Sequence, residues 1–141
     1  MGPKVEEVPK DSSLEQELLK TIEVLTSKGK AVYLFGDVPK FPFAPERCKY
    51  MAKGLGRSIC SVPRDYIVST EKTYQAALDA VARKRPDLHY LELKDQLCHE
   101  DLCSMVRGGV LMYRDNNHLN IPGSRYIGKI VVEKFPELLK Q

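Results

Sequence analysis

Apolar positions near the start of the chain recur at helical spacing, then close up into a short continuous run. Leu14, Leu18, Ile22 and Leu25 fall about one turn apart, behind a Ser12-Ser13-Leu14-Glu15 segment with the form of a capping box. Gly29 is placed to close the last turn. Ala31-Val32-Tyr33-Leu34-Phe35 follows, bounded by Gly29 and Gly36, and predicts a buried parallel strand. Pro39, Pro42 and Pro45 then exclude regular helix and central strand between Asp37 and Arg47. Lys49 to Leu55 predicts a short helical turn.

Helical spacing returns after residue 70. Thr70 is expected to cap a stronger helix with Tyr74, Ala77, Leu78 and Val81 on one face, ended by Pro86. Leu88 to Leu93 predicts a second strand, Lys94 to Gly109 a loop, and Val110 to Tyr113 a brief extended segment. Asn120 is expected to cap the last helix, with Pro122 in its first turn and Ile127, Ile130 and Val131 as its buried stripe. This alternation predicts an α/β layer with parallel strands. Sites in such sheets lie outside the carboxyl ends of the strands, which places Asp37 and the segment around Asp115 on one edge. Two strands make a very small parallel sheet for a layer normally covered on both faces, so the chain is expected to be the later part of a larger domain. No internal repeat or low-complexity stretch is present.

The 141 residues fit one domain, and a hydrophobic fraction of 43% supplies a core. Charged residues make up 29%, yet the net charge is only +3, which argues against a nucleic-acid partner. The densest basic cluster, Arg83-Lys84-Arg85, falls at a predicted helix end, where cations complement the helix dipole. No apolar run approaches the roughly 20 residues that span a bilayer. Met1 to Asp11 is polar, carries Pro3 and Pro9, and lacks the apolar middle of a secretion signal. It is expected to be a flexible leader or an artificial junction, with residues 12–141 forming the domain.

The four cysteines fall into two local pairs, and two disulfides would imply an oxidising compartment such as a periplasm. Three pairings exist, of which the nearest-neighbour one, Cys48 with Cys60 and Cys98 with Cys103, is expected. A zinc site formed with His99 is an alternative that lacks the usual ligand spacing, and four reduced buried cysteines are another. No glycine-rich phosphate loop and no metal-spaced set of His or carboxylates occurs, so neither metal nor cofactor is expected.

The most chemically suggestive stretch is Leu111-Met112-Tyr113-Arg114-Asp115-Asn116-Asn117-His118-Leu119-Asn120. The ends of a four-residue turn lie within about 7 Å at Cα, which brings Asp115 and His118 within side-chain reach. Asn116 and Asn117 suit the middle of such a turn. A carboxylate on one imidazole nitrogen leaves the other free to take a proton from a hydroxyl nucleophile. The plainer reading is a surface turn with a neighbouring His. Asp37 is expected to bond loop amides or to line the site. Tyr113, Arg114 and Asn117 adjoin the turn and are candidates for contact with a substrate. Phe41 and Phe43 are expected to anchor the proline-rich loop, His99 to be exposed, and His89 to be a surface or packed residue.

The Asp115-to-His118 spacing, followed by Leu119, Pro122-Gly123 and a helix, resembles the last motif of SGNH-type esterases and acyltransferases. Val32-Tyr33-Leu34-Phe35-Gly36-Asp37-Val38-Pro39, then Phe43, Pro45 and Cys48, is similar to the middle of one subgroup. So is Cys98 to Cys103 followed by Gly109, Leu111-Met112-Tyr113 and Asp115. That subgroup is the periplasmic SGNH domain fused to membrane-bound O-acyltransferases of acyltransferase family three, which modify lipopolysaccharide O-antigen and related cell-surface glycans. The resemblance runs from about Leu18 to Phe135 and covers the later part of the family's domain. It implies a partial flavodoxin-like, three-layer arrangement, with His118 as base for a serine nucleophile and Asp115 orienting its ring. It also implies a membrane-bound acyltransferase domain as partner, an acyl donor, and a cell-surface glycan as acceptor.

The chain departs from the family at the nucleophile. The family's serine stands in a Gly-Asp-Ser setting, whereas Ser58 follows Gly56-Arg57, Ser61 follows a cysteine, and Ser124 lies in the last predicted helix. The family's oxyanion site draws on a Gly and an Asn from earlier motifs, and the asparagines here are Asn116, Asn117 and Asn120. Loss of the nucleophile alone removes most of the rate of a triad enzyme, so the isolated segment is expected to be inactive. The alternative is a periplasmic binding module that kept the fold and lost the chemistry.

Overall fold

A computed structural model describes residues 13–49 and 60–140. The elements in order are α1 (Leu14–Ser27), β1 (Tyr33–Phe35), α2 (Glu46–Lys49), β2 (Ser61–Pro63), α3 (Arg64–Thr70), α4 (Lys72–Lys84), β3 (His89–Leu91), α5 (Lys94–Leu97), β4 (Cys98–His99), β5 (Leu102–Ser104), β6 (Val106–Arg107), β7 (Val110–Leu111) and α6 (Ile121–Lys134). A 3-10 turn, Pro136–Leu139, follows. The architecture is mixed α/β, and no helix among the described residues is long and apolar enough to cross a membrane. The expected leader, residues 1–11, lies outside the described residues, as does residue 50 onward of the turn expected at Lys49 to Leu55.

The chain divides into two compact units. The first comprises Met1–Leu34 and Thr73–His89. Its α1 starts one residue later than the sequence pattern indicates. Ser13 Oγ accepts from Gln16 N at 3.3 Å, and Gln16 Oε1 accepts from Ser13 N at 3.4 Å. Of the predicted stripe, Ile22 is buried, while Leu14 and Leu25 stay exposed. Gly29 takes φ 72°, a left-handed position that costs glycine little. Ion pairs from Glu15 to Lys84, the last residue of α4, and from Glu23 to Arg85, just beyond it, hold α1 against the end of α4. Thr70 does not cap α4. It closes α3, where its hydroxyl donates to Ile67 O, and α4 begins at Lys72.

β1 pairs with β3. His89 N bonds to Val32 O and Gly36 N to Leu91 O, so the partners advance together and the pair is parallel. Each strand has three residues, fewer than the apolar runs predict. His89 is packed, its ring stacked on that of Tyr33 with centroids 4.4 Å apart.

The second unit, Phe35–Lys72 and Tyr90–Gln141, holds the larger core. Ile67, Phe41, Cys103, Met105 and Tyr113 are at most 1% exposed. A three-stranded antiparallel sheet runs β2-β5-β4, and β6 with β7 forms a separate hairpin. Residues 94–109 are therefore not a loop. They hold one helical turn and three short strands, and Val110–Leu111 belongs to an antiparallel hairpin. Strands this short carry too few side chains for an alternation to be read. Cys98 lies directly opposite Cys103 across β4 and β5 and is bonded to it. Cys48 is bonded to Cys60, so both pairs join near neighbours in sequence.

Candidate active site

The candidate site is the bend between β7 and α6. Tyr113 forms an antiparallel bridge with Leu119, and Arg114 N donates to His118 O at 2.8 Å, which closes a five-residue turn. Inside it, Asp115 Oδ1 accepts from His118 N at 2.7 Å and from Asn117 N at 3.0 Å. Short polar residues favour such self-bonded turns because the side chain replaces missing backbone partners. The His118 ring folds back so that Nδ1 stands 2.9 Å from Asp115 Oδ2 and 3.0 Å from Oδ1. With Nδ1–H donating to the carboxylate, a neutral ring presents Nε2 as an acceptor. Nε2 has no hydrogen-bond partner among the described residues, and 59% of the His118 side chain is open to solvent.

The Asn117 amide is the main reason the Asp115 carboxyl titrates at about 2 rather than 3.8. Partial burial opposes it, and the ring and amide of His118 add to it. Asp115 is thus ionised wherever the imidazole needs a counter-charge. The Arg114 guanidinium is exposed, 3.7 Å from Asp115 Oδ2.

Both ends of the bend are anchored. Asn120 Oδ1 accepts from Gly123 N at 2.9 Å and caps α6, while its Nδ2 donates to Leu111 O at 2.8 Å. Gly123 lets the first turn of α6 lie against Met112, since a Cβ there would overlap Met112 O. On the entry side, Tyr113 is buried and its hydroxyl donates to Pro39 O at 2.8 Å. Tyr113, named above as a candidate for substrate contact, therefore braces the bend from within the core. Burial holds its phenol above the ordinary range. Phe41 N donates to Asn116 O at 2.8 Å, and Asn116 Nδ2 donates to Phe41 O at 3.3 Å.

These bonds bring the loop after β1 onto the bend, although the segment ahead of the bend belongs to the antiparallel β6–β7 hairpin and not, as the strand order predicted, to the parallel sheet. Asp37 lies on that loop, exposed, with Oδ1 accepting from Val38 N at 2.8 Å. Phe41 anchors the loop, and Phe43 lies under the Arg47 guanidinium. Asn117 contributes its backbone N–H to Asp115. His99 is exposed on β4. All four cysteines are consumed in disulfides, which removes them as zinc ligands and as thiols.

Two features escaped sequence reasoning. One is the apex contact of Asn116 with Phe41. The other is Lys94, whose Nζ is 2.8 Å from Glu71 Oε2 and 4.0 Å from Glu92 Oε1 with the side chain 5% exposed. Glu92 also accepts from the Tyr90 hydroxyl at 2.6 Å and packs where a Cβ on Gly36 would fall. A Glu-x-Lys pair beside a strand reads as solvated surface, so nothing local marks this burial.

No match was found among curated proteins or solved structures. A family model described as SGNH domain (fused to AT3 domains) matches residues 2–133, a span that includes both the strand-end segment at Asp37 and the Asp115–His118 bend. The parallel pair with its helices agrees with part of an SGNH-like fold, and the chain belongs to the SGNH domains that occur fused to AT3 domains.

Proposed function

We propose that this domain carries the base of a serine-dependent O-acyltransferase or esterase acting on a bacterial cell-surface polysaccharide. The observation that supports it is the Asp115 carboxylate set on Nδ1 of His118 through both oxygens, with Nε2 open to solvent. In this reading Nε2 takes the proton of a serine hydroxyl as the oxygen attacks the acyl carbonyl. It returns that proton to the departing donor group when the tetrahedral intermediate collapses. A sugar hydroxyl then attacks the acyl-serine with the same proton traffic, or water does so in the hydrolytic variant. Asp115 fixes the tautomer and balances the imidazolium.

The serine is supplied by a Gly-Asp-Ser segment outside this chain, together with most oxyanion donors. Asp37, Arg114 and Asn117 stand beside the acyl transfer and contact glycan or donor. The partner is a membrane-bound acyltransferase domain of family three, and the disulfides agree with a periplasmic setting. The absence of a Gly-Asp-Ser from the sequence favours a second reading, a binding module of the same fold without chemistry.

Aryl acetate hydrolysis by the full-length protein decides between them. His118→Ala is expected to lower kcat by about three orders of magnitude and Asp115→Asn by about as much or somewhat less. Unchanged turnover in His118→Ala refutes the base assignment.

A further inference from the structure

The bonds within the bend fix its shape without fixing where it points. Arg114 to His118 and Asp115 to Asn117 are contacts between near neighbours. The entry is tied to the core through Tyr113 and the exit through Asn120. Among the described residues, the apex is tied through Asn116. This residue satisfies both the N–H and the C=O of Phe41, as a strand partner would, with its backbone oxygen and its side-chain amide. Phe41 is a firm attachment point. It is 1% exposed, and its ring meets that of Tyr113 edge to face with centroids 5.0 Å apart. Asn116 also stands between Asp115 and Asn117, the carboxylate and the amide that does most to keep it ionised.

We propose that Asn116 is the positioning residue of the Asp115–His118 pair, clamping the apex of the turn to Phe41 so that carboxylate and ring stay aligned. The proposal rests on reading His118 as the base. Asn116 touches neither donor nor acceptor and acts through the geometry of its two neighbours. An amide suits the role because it offers Nδ2 as donor while its own backbone oxygen accepts, a combination that neither Asp nor Ala reproduces.

The test uses the 15N-labelled chain and the ring-nitrogen signals of His118, with Asp115→Asn as the reference displacement. Asn116→Ala and the near-isosteric, amide-free Asn116→Leu are both expected to move the Nδ1 and Nε2 signals in the same direction as Asp115→Asn. In the full-length protein the same variants are expected to lower kcat on aryl acetate on the order of tenfold or more, with KM within about twofold. Ring signals of Asn116→Ala and Asn116→Leu that superimpose on the parent, while Asp115→Asn shifts them, overturn the positioning role alone. An Asp115→Asn spectrum identical to the parent overturns the base reading as well. Failure of both Asn116 variants to fold makes the residue structural and also overturns the proposal.

Discussion

The hydroxyl of Tyr113 donates to the carbonyl of Pro39 at 2.8 Å inside the core, so the residue that enters the bend is bound to the loop that leaves β1. Tyr113→Phe keeps the ring and leaves that carbonyl without its partner. The expected loss is about 1–3 kcal/mol of stability, measured by urea unfolding. Because burial raises the phenol's pKa, its ultraviolet tyrosinate signal is expected only once the chain unfolds in alkali.

Asp115 sets an acid limit on the bend. Its folded pKa of about 2 lies below the reference value of 3.8. A carboxyl depressed in this way contributes stability that is fully present above about pH 4 and is lost as pH falls from there towards about 2. Asp115→Asn is expected to flatten this part of the unfolding-midpoint profile between about pH 5 and 2. A carbon-13 titration of the Asp115 carboxyl with its midpoint near 4 contradicts the expectation.

Gly123 separates α6 from the chain just ahead of the bend by less than a methyl group. A Cβ there meets the backbone oxygen of Met112, which also accepts from Asn120 N at 2.9 Å and cannot swing aside as a side chain would. Gly123→Ala is expected to cost about 2–3 kcal/mol and to shift the amide signals of Met112 and Asn120. Gly128→Ala on the same helix serves as control, because its Cβ would meet nothing within 4 Å.

Lys94 and Glu71 form a pair with side chains only 5% and 13% exposed. Lys94→Met keeps the stem and strands the Glu71 carboxylate. The expected cost is about 3 kcal/mol near neutral pH, and the double variant Lys94→Met with Glu71→Leu is expected to recover most of it. Additive losses in that cycle, read by thermal unfolding, would mean the two charges do not interact.

The sequence exposed the parts of the fold whose causes are local. Asp115 and His118 meet because they are three residues apart in a turn of small polar residues, and Asn120 caps α6 because its amide reaches Gly123. The parallel strand pair was legible as apolar runs, though not its shortness. β7 was legible as a brief extended segment, but β4 to β6 and the hairpin partner of β7 were not, since two or three residues cannot show a period of two. Asn116 and Tyr113 read as turn and ligand candidates because their partners, Phe41 and Pro39, lie some seventy positions away. Lys94 was invisible for the same reason, its main partner Glu71 being 23 positions distant.

Asn120 joins two jobs in one amide, starting α6 with its oxygen and holding the hairpin exit at Leu111 with its nitrogen. Asp or Ser at this position retains the first and forfeits the second, since neither offers a side-chain N–H that reaches Leu111 O. Anyone grafting a different helix in place of α6, or randomising the existing one, is therefore free along its solvent side but obliged to keep one carboxamide at the junction.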